Sequence, residues 1–361
     1  MKKQLFRILT ATAVSLTVWS CNQSDPAPKG DYAQGVFVIN EGNFTQNNGS
    51  ISYFSREGGP ADDDIFKAVN GLELKGGVQG YAVAGNNGLI LVDNSAAGLD
   101  KVEIVEANTF KKVATIGTPD IENPRRVIAI SSAKAYVSCW GTNADYTYRT
   151  GYVAVIDLAT NKVIKKIDIL GGPENMVLHE GKVFVGTVSY GGGKALNVIN
   201  TSSDQIVKTI STPGGAPSPI GIDANGKLWV GAGIEASKID PVTYAVETTL
   251  KIGENATKSA GNFVFGTDKK TIFFVLSYYD ANYVTHGETY KFGIADTKIS
   301  LTTPLIKRVF TGLAVDPSQG LIYAGVTPSY AQAGYAVRYR TDGSVVDSIK
   351  VGIAPTGFFF K

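Results

Sequence analysis

The sequence contains only two cysteines and two histidines among its 361 residues. Two cysteines are too few for a scaffold held together by disulfides, and Cys139 is expected to be a small buried apolar residue. His179 is expected in a solvated turn, and no cluster of His, Cys or carboxylate residues accompanies His286 at the spacing of metal ligands. The sequence therefore predicts neither a bound metal nor a cofactor.

The motifs of familiar catalytic sites are missing as well. There is no Gly-x-Ser-x-Gly, and the glycines at residues 191–193 are not followed by a helical pattern, which argues against a phosphate-binding loop. The acidic run at residues 62–64 is expected to be solvated. Asp280 and Glu288 could face Asp145 as an acid/base pair, but spacing alone does not show it. We therefore expect a protein that is not an enzyme, with catalysis as the alternative.

Long apolar runs are confined to the N-terminus. Residues 1–20 begin with basic residues (Lys2, Lys3 and Arg7) and continue with a mostly apolar stretch that is too short to span a bilayer, a pattern typical of a signal peptide. The sequence Val-Trp-Ser-Cys that ends at Cys21 resembles a bacterial lipobox. This resemblance implies cleavage before Cys21 and lipidation of its thiol and amino group; ordinary secretory cleavage is the alternative. Residues 21–33 then form a polar tether.

Charge is scarce, at 18% of residues, and almost balanced. The formal net charge is +2, and removal of residues 1–20 with their three basic side chains makes it −1. Such a chain has no basic field, so nucleic acid is excluded as a partner.

What the sequence does contain is an internal repeat. Residues 174–210 read as four short strands separated by tight turns, with β-branched and aliphatic residues that suit a half-buried sheet, and no helical period competes. The second strand of this unit occurs in seven copies along the chain. Its copies begin at Gly35, Gly88, Lys134, Lys182, Lys227, Thr271 and Leu321. Four antiparallel strands repeated at roughly 45 residues predict an all-β, seven-bladed β-propeller that occupies residues 34–361 as a single domain.

The two ends of the repeat predict how the ring closes. The first copy begins on a second strand, and one strand is left over at residues 354–360. We expect this C-terminal strand to complete blade 1 as its innermost strand, because a shared blade hides the open edges.

The repeats resemble a known family. Residues 155–164 and 198–207 match the phrase that closes YVTN-type (YncE-like) propeller units, and residues 35–54 resemble the start of DUF5074-like surface lipoproteins of the Bacteroidetes. That group includes cobalamin-binding proteins that sit above a TonB-dependent transporter. The resemblance implies a lipid-anchored monomer at the outer membrane or cell surface, a corrinoid ligand and a transporter as partner. A protein- or glycan-interaction module is one alternative, and a propeller lactonase or lyase is another.

The repeat also predicts which end of the propeller carries the function. Loops between second and third strands lie at the same end as the entries to first strands, and we call this end the loop face and the opposite one the short-turn end. Aromatic residues are concentrated in the loops of the loop face: Phe44, Trp140, Tyr146, Tyr148, Tyr190, Tyr278, Tyr279, Tyr283 and Tyr330. Polar residues are predicted around the mouth of the central channel: Arg125, Arg126, Glu174, Asn175 and Lys258. Both sets are candidate ligand contacts, since aromatic loops offer rigid amphipathic surface. The alternatives are local packing for the aromatic residues and mutual pairing for the polar ones.

Overall fold

A computed structural model describes residues 29–142, 147, 150–188, 193–212, 214–253 and 257–361. It contains seven antiparallel sheets arranged as the blades of a propeller, which confirms the predicted fold. The helical elements are one turn each, η1 (Phe44–Gln46) and α1 (Ile65–Asn70). In the part of the chain that is described, no helix has the length and apolar character needed to cross a membrane.

The strands follow the chain in the order that the repeat predicts, and each blade extends from an innermost strand at the channel to an outermost strand at the rim. From the channel outward, blade 1 comprises β26 (Pro355–Phe360), β1 (Val36–Asn40) and β2 (Ser50–Phe54). Blade 2 comprises β3 (Gly77–Ala84), β4 (Asn87–Asp93), β5 (Lys101–Glu106) and β6 (Lys112–Gly117). Blade 3 comprises β7 (Pro124–Ser131), β8 (Lys134–Cys139), β9 (Thr150–Asp157) and β10 (Lys162–Leu170). Blade 4 comprises β11 (Pro173–His179), β12 (Lys182–Thr187), β13 (Ala195–Asn200) and β14 (Gln205–Ser211).

The remaining three blades complete the ring. Blade 5 comprises β15 (Ser218–Ile222), β16 (Leu228–Ala232), β17 (Glu235–Ile239) and β18 (Val246–Lys251). Blade 6 comprises β19 (Ser259–Phe265), β20 (Thr271–Tyr279) and β21 (Thr285–Gly293). Blade 7 comprises β22 (Gly312–Val315), β23 (Ile322–Val326), β24 (Tyr335–Tyr339) and β25 (Val345–Lys350). In blades 1 and 6 the outermost strand is reduced to an isolated bridge, Tyr53 to Asp62 and Thr289 to Ile306.

Burial explains why the second strands carry the clearest mark of the repeat. Strands such as β1, β16 and β23 are buried at every position, because each blade packs between two neighbours and both of its faces are covered. A strand covered on both faces reads as a continuous apolar run. The outermost strands instead alternate or are exposed, and β10 places lysines along its open edge, which discourages pairing with another chain.

The C-terminal strand closes the ring as predicted. β26 pairs antiparallel with β1, with Val36 opposite Phe360 and Val38 opposite Phe358. It also contacts β22 and β3, the innermost strands of the neighbouring blades. The Gly35 amide donates to the Lys361 carbonyl at 3.0 Å, so the two ends of the domain are joined within blade 1.

The innermost strands share an irregularity that shapes the central channel. β3, β7, β11, β15 and β19 each contain a register shift close to their entry from the loop face. An extra residue of this kind bends the strand and changes the direction of a side chain. The channel holds a cavity of about 380 Å³, lined among others by Gln79, Arg126, Asn175 and Phe263. These bulges thus determine which side chains reach the mouth of the channel.

Candidate functional site

The described residues of the two predicted sets lie at the loop face. Second strands end at this face, and Asn43 Nδ2, which follows β1, donates to the Tyr330 carbonyl at 3.1 Å across the boundary between blades 1 and 7. Tyr146, Tyr148, Tyr190 and the predicted lipidation site Cys21 lie outside the described residues. The others divide into two groups, a mostly buried polar network and an exposed set of aromatic residues.

The polar group forms a network around the mouth of the channel, which we call the mouth network. Arg126 Nε donates to Asn175 Oδ1 at 2.8 Å, and Asn175 Nδ2 donates to Ser218 Oγ at 2.7 Å. Arg126 Nη1 donates to the Gln79 carbonyl at 3.2 Å, and Gln79 Nε2 donates to Glu41 Oε1 at 3.1 Å. Side chains from blades 1 to 5 therefore satisfy one another, as the alternative interpretation of the polar residues predicts.

Arg125 lies next to this network and connects three blades. Its Nη1 is 3.4 Å from Asp93 Oδ2, and its Nε is 3.4 Å from Glu174 Oε2. The guanidinium also lies 4.0 Å above the centre of the Trp140 ring, in cation–π geometry. Arg125 and Trp140 thus contact each other in a mostly buried position, where packing accounts for both residue types.

Sequence reasoning missed Asp93 and Asp100, which are 5% and 4% exposed beneath the loop face. Asp100 Oδ1 and Oδ2 accept from the amides of Asn94 and Asn123. Burial raises the pKa of Asp93 to about 7; Arg125 lowers this pKa and the Asp100 carboxyl raises it. The sequence signal that could have found Asp93 is its position: it ends the second strand of blade 2, whereas an apolar or neutral residue ends each of the other six second strands.

The aromatic group lies on three adjacent blades, and we call it the aromatic arc. It consists of Phe44 (56% exposed), Tyr278 (37%), Tyr279 (70%), Tyr283 (86%) and Tyr330 (54%). Burial raises the pKa of Tyr330, and the charges of Glu41 and Tyr279 raise it further. The loop that carries Phe44 is bonded on both sides, to Tyr330 and to Ser95 of blade 2. Hydrogen bonds therefore hold this loop to the blades on both of its sides.

Blade 6 contributes three members of the arc through a long hairpin. Asp280 Oδ1 accepts from the amides of Asn282 and Val284 at 2.8 and 2.9 Å, which fixes the turn between β20 and β21. Asp280 Oδ2 lies 2.9 Å from His286 Nε2, and the His286 hydrogen bond and these amides hold the pKa of Asp280 below its usual value. The His286 ring in turn stacks on Tyr278 at 5.5 Å.

Lys258 also belongs to this side of the face, and not to the mouth network. Its Nζ lies 5.0 Å from the centre of the Tyr278 ring, in a cation–π contact. Lys258 therefore gives the aromatic arc a positive group near Tyr278.

The candidate acid/base residues of the loop face that the structure describes take part in hydrogen bonds. Among the described residues, no three His, Cys, Asp or Glu side chains come together as a metal site. The Asp280 carboxylate is occupied by its own turn, and Glu288 accepts from the Tyr290 hydroxyl. Asp145, which Asp280 and Glu288 could face as an acid/base partner, lies outside the described residues.

Comparisons with known proteins agree with the fold. The family model described as "Domain of unknown function (DUF5074)" matches residues 34–360. A quinonprotein alcohol dehydrogenase-like protein from Bacteroides thetaiotaomicron is similar in structure, with a TM-score of 0.64 and 17% identity over 91% of this chain and 78% of that one. Hydrazine synthase from Kuenenia stuttgartiensis is also similar in structure, with a TM-score of 0.56 and 18% identity over 78% of this chain and 88% of that one. Among curated proteins, none matches the sequence significantly. At these identities the structural likeness concerns the fold alone.

Proposed function

We propose that this chain, which belongs to the DUF5074 family, is a lipid-anchored cell-surface propeller that binds a ligand and does not catalyse a reaction. The description of the family assigns no function, so the proposal is based on the loop face. The observation that carries this proposal is the aromatic arc. Four of its five side chains are more than half exposed, and all lie on neighbouring blades at one end. Contiguous exposed apolar surface of this kind marks interaction sites, because water contact with it is unfavourable.

A large amphipathic ligand fits this face best. The rings of the arc would cover its apolar part, while the amides and hydroxyl of Gln79, Asn175 and Ser218 lie at the neighbouring channel mouth for polar groups. A corrinoid has this character, and the resemblance to cobalamin-binding lipoproteins supports the choice. In this proposal Cys21 carries the lipid, and a TonB-dependent transporter receives the ligand. Fold alone does not specify a ligand, so the site must be tested directly.

The second candidate is a protein- or glycan-interaction module. Four of the five arc residues are tyrosines. A tyrosine offers both a ring face and a hydroxyl, the combination that stacks on sugars and bonds to their hydroxyl groups. The two candidates differ in the ligand but use the same surface.

Titration decides between them. A soluble chain that begins at Asp31 is mixed with cyanocobalamin, and binding is followed by the corrin absorbance or by heat. Micromolar or tighter binding is expected, and no binding in that range would reject the corrinoid. The same titration with oligosaccharides then tests the second candidate.

Substitutions locate the site. Tyr279→Ala and Tyr283→Ala are each expected to weaken ligand binding about tenfold, which corresponds to about 1.4 kcal/mol, without a change in melting temperature, because both side chains are exposed. Val242→Ala, an exposed residue at the short-turn end, is the matched control and should bind normally. Trp140→Ala should instead lower the melting temperature, because Arg125 loses the ring beneath it. Unchanged affinity in both tyrosine variants would move the site away from the arc.

A further inference from the structure

The chain enters the propeller at the short-turn end. β1 runs from Val36, opposite Phe54, to Asn40 at the loop face, so the residues before Val36 lie at the other end. The Tyr32 amide donates to the Asn108 carbonyl at 3.0 Å, and Asn108 lies in the short turn between β5 and β6. The entry point is therefore on the side opposite to the aromatic arc.

This entry point is fixed to the body of the propeller. Lys361 Nζ donates to the carbonyls of Tyr32 and Ala107 at 3.1 and 3.0 Å. The Tyr32 ring is 9% exposed and packs edge-on against Tyr53 and Phe110, with centroids 5.0 and 5.6 Å away. Blades 1 and 2 thus hold residue 32 in place, and any chain that precedes it must leave from this end.

We propose that the propeller rests on its membrane with the short-turn end inward and presents the loop face away from the lipid anchor. This inference rests on the proposed lipid at Cys21, since the anchor defines which end is held. It assigns the partner of each end: the membrane surface for the short turns, and ligand from the surrounding medium for the loop face.

Chain length supports this orientation. From Cys21 to Tyr32 there are eleven peptide steps, which reach at most about 40 Å when fully extended. The five residues of β1 and the seven of β4 correspond to a height of about 17–23 Å for the blades at the entry point. To bring the loop face down to the membrane, the tether would have to pass this height before it reached the lipid, which takes about half of its greatest reach. A tether extended in this way loses conformational freedom, so the outward orientation is favoured.

The orientation constrains how a ligand could be passed on. A transporter in the same membrane would meet the short-turn end or a blade edge of the resting propeller. Transfer from the aromatic arc would then require the propeller to turn over on its tether. Capture and transfer would therefore be separate steps.

The test uses the full-length chain, lipidated during export and reconstituted into vesicles, with the lipid verified by mass spectrometry. Two matched variants carry one dye each, Ala159→Cys in the turn between β9 and β10 and Ala281→Cys in the turn between β20 and β21. Both alanines are exposed, and each lies in a turn fixed by an aspartate, Asp157 or Asp280, whereas Cys139 is fully buried and should not react. Energy transfer to a dye on lipid headgroups reports the distance of each label from the membrane.

Several-fold stronger transfer from position 159 than from position 281 is expected. Equal transfer, or stronger transfer from position 281, would overturn the orientation while leaving the lipid anchor intact. A chain without lipid would overturn the anchor and, with it, this inference. Cyanocobalamin titration of the soluble chain depends on neither result, so failure of the ligand assignment is recognised separately.

Discussion

The buried carboxyl of Asp93 is expected to make the stability of this protein sensitive to pH. Its pKa is raised by burial to about 7, whereas an aspartate in an unfolded chain titrates near 3.9. Between these two values the folded state holds a proton that the unfolded chain releases. The free energy of unfolding should therefore fall as the pH rises from about 4 through 7, and this contribution is fully present only at the acidic end.

Asp93→Asn should remove this pH dependence. The amide has the shape of the protonated acid, so the variant and the parent should unfold at similar denaturant concentrations near pH 5. At pH 8.5 the parent contains an ionised carboxylate beside Asp100, so the variant should be more stable by about 1–3 kcal/mol. This range is smaller than the free energy of the full pKa shift, because Arg125 is shared between Asp93 and Glu174. Urea unfolding at both pH values measures the difference. A constant offset between the two proteins would contradict the assignment.

At the scale of the strand, the order of elements could be predicted from local patterns. β12 and β13 combine β-branched residues with turn residues at both ends, and this pattern depends on neighbours in the sequence. The repeat predicts that Tyr278, Tyr279 and Tyr283 lie in a loop of blade 6, yet β20 continues to Tyr279 and β21 begins at Thr285. Tyr278 pairs with His286 there, so the expected loop is a hairpin with a tight turn.

The arrangement of the mouth could not be predicted in the same way. Arg125 and Glu174 are 49 positions apart in sequence and belong to different blades, yet they pair. Bulges in β7 and β11 decide where these side chains point, and bulges have no reliable local signature in this sequence. Position on the loop face was predictable from the repeat, whereas exposure depends on partners from other blades. Trp140 and Tyr283 are therefore equivalent in the sequence pattern, as aromatic residues of the loop face, but in the structure Trp140 packs against Arg125 and Tyr283 is exposed.

The hairpin of blade 6 should depend on the Asp280 carboxylate. Asp280→Ala removes the acceptor for two turn amides and for His286, so hydrogen exchange at residues 281–286 should accelerate while the melting temperature stays within a few degrees. Ligand affinity should fall, because Tyr279 and Tyr283 lose their fixed positions.

Asp157→Ala provides the matched control for this change. Asp157 fixes an equivalent turn at the short-turn end, where its Oδ1 accepts from the Ala159 amide. Exchange in that turn should accelerate with normal ligand affinity. Unchanged affinity in Asp280→Ala would show that the arc does not need an ordered hairpin, and equal loss of affinity in both variants would show that the loss does not come from the hairpin.

The strand that closes the ring should be needed by the whole domain. A chain truncated after Gly352 loses β26, which leaves β1 unpaired on one side and removes Phe359 from contact with Phe37 and Tyr81. We expect aggregation or a large fall in melting temperature. Phe359→Ala, which keeps the strand, should cost about 3 kcal/mol because the ring is only partly buried. A truncated chain with parental thermal stability would refute closure as a source of stability.

At the scale of the molecule, the connection of the chain ends sets blade 1 apart from the other six blades. Blade 1 takes its innermost strand from the C-terminus, so unfolding of this blade requires both ends of the chain to separate. The long-range pairing of β1 with β26 restrains every blade between them, and its contacts must outweigh the entropy that is lost when the two ends of the chain are brought together. The restraint comes from a blade that is shared between the two ends of the chain, so it should be transferable to another blade.

Circular permutation tests this transfer. Gly35 and Lys361 exchange backbone hydrogen bonds, so a short hairpin turn can join the old ends. New ends between Asn225 and Gly226 make blade 5 the shared blade, with β15 moved to the C-terminus. This permutant should keep a melting temperature close to that of the parent with the same N-terminal truncation. New ends between Gly214 and Gly215, only eleven positions away, leave every blade, including the joined blade 1, formed from one continuous segment. That permutant should melt at a clearly lower temperature, and equal melting temperatures would mean that packing between blades, and not the shared blade, holds the ring together.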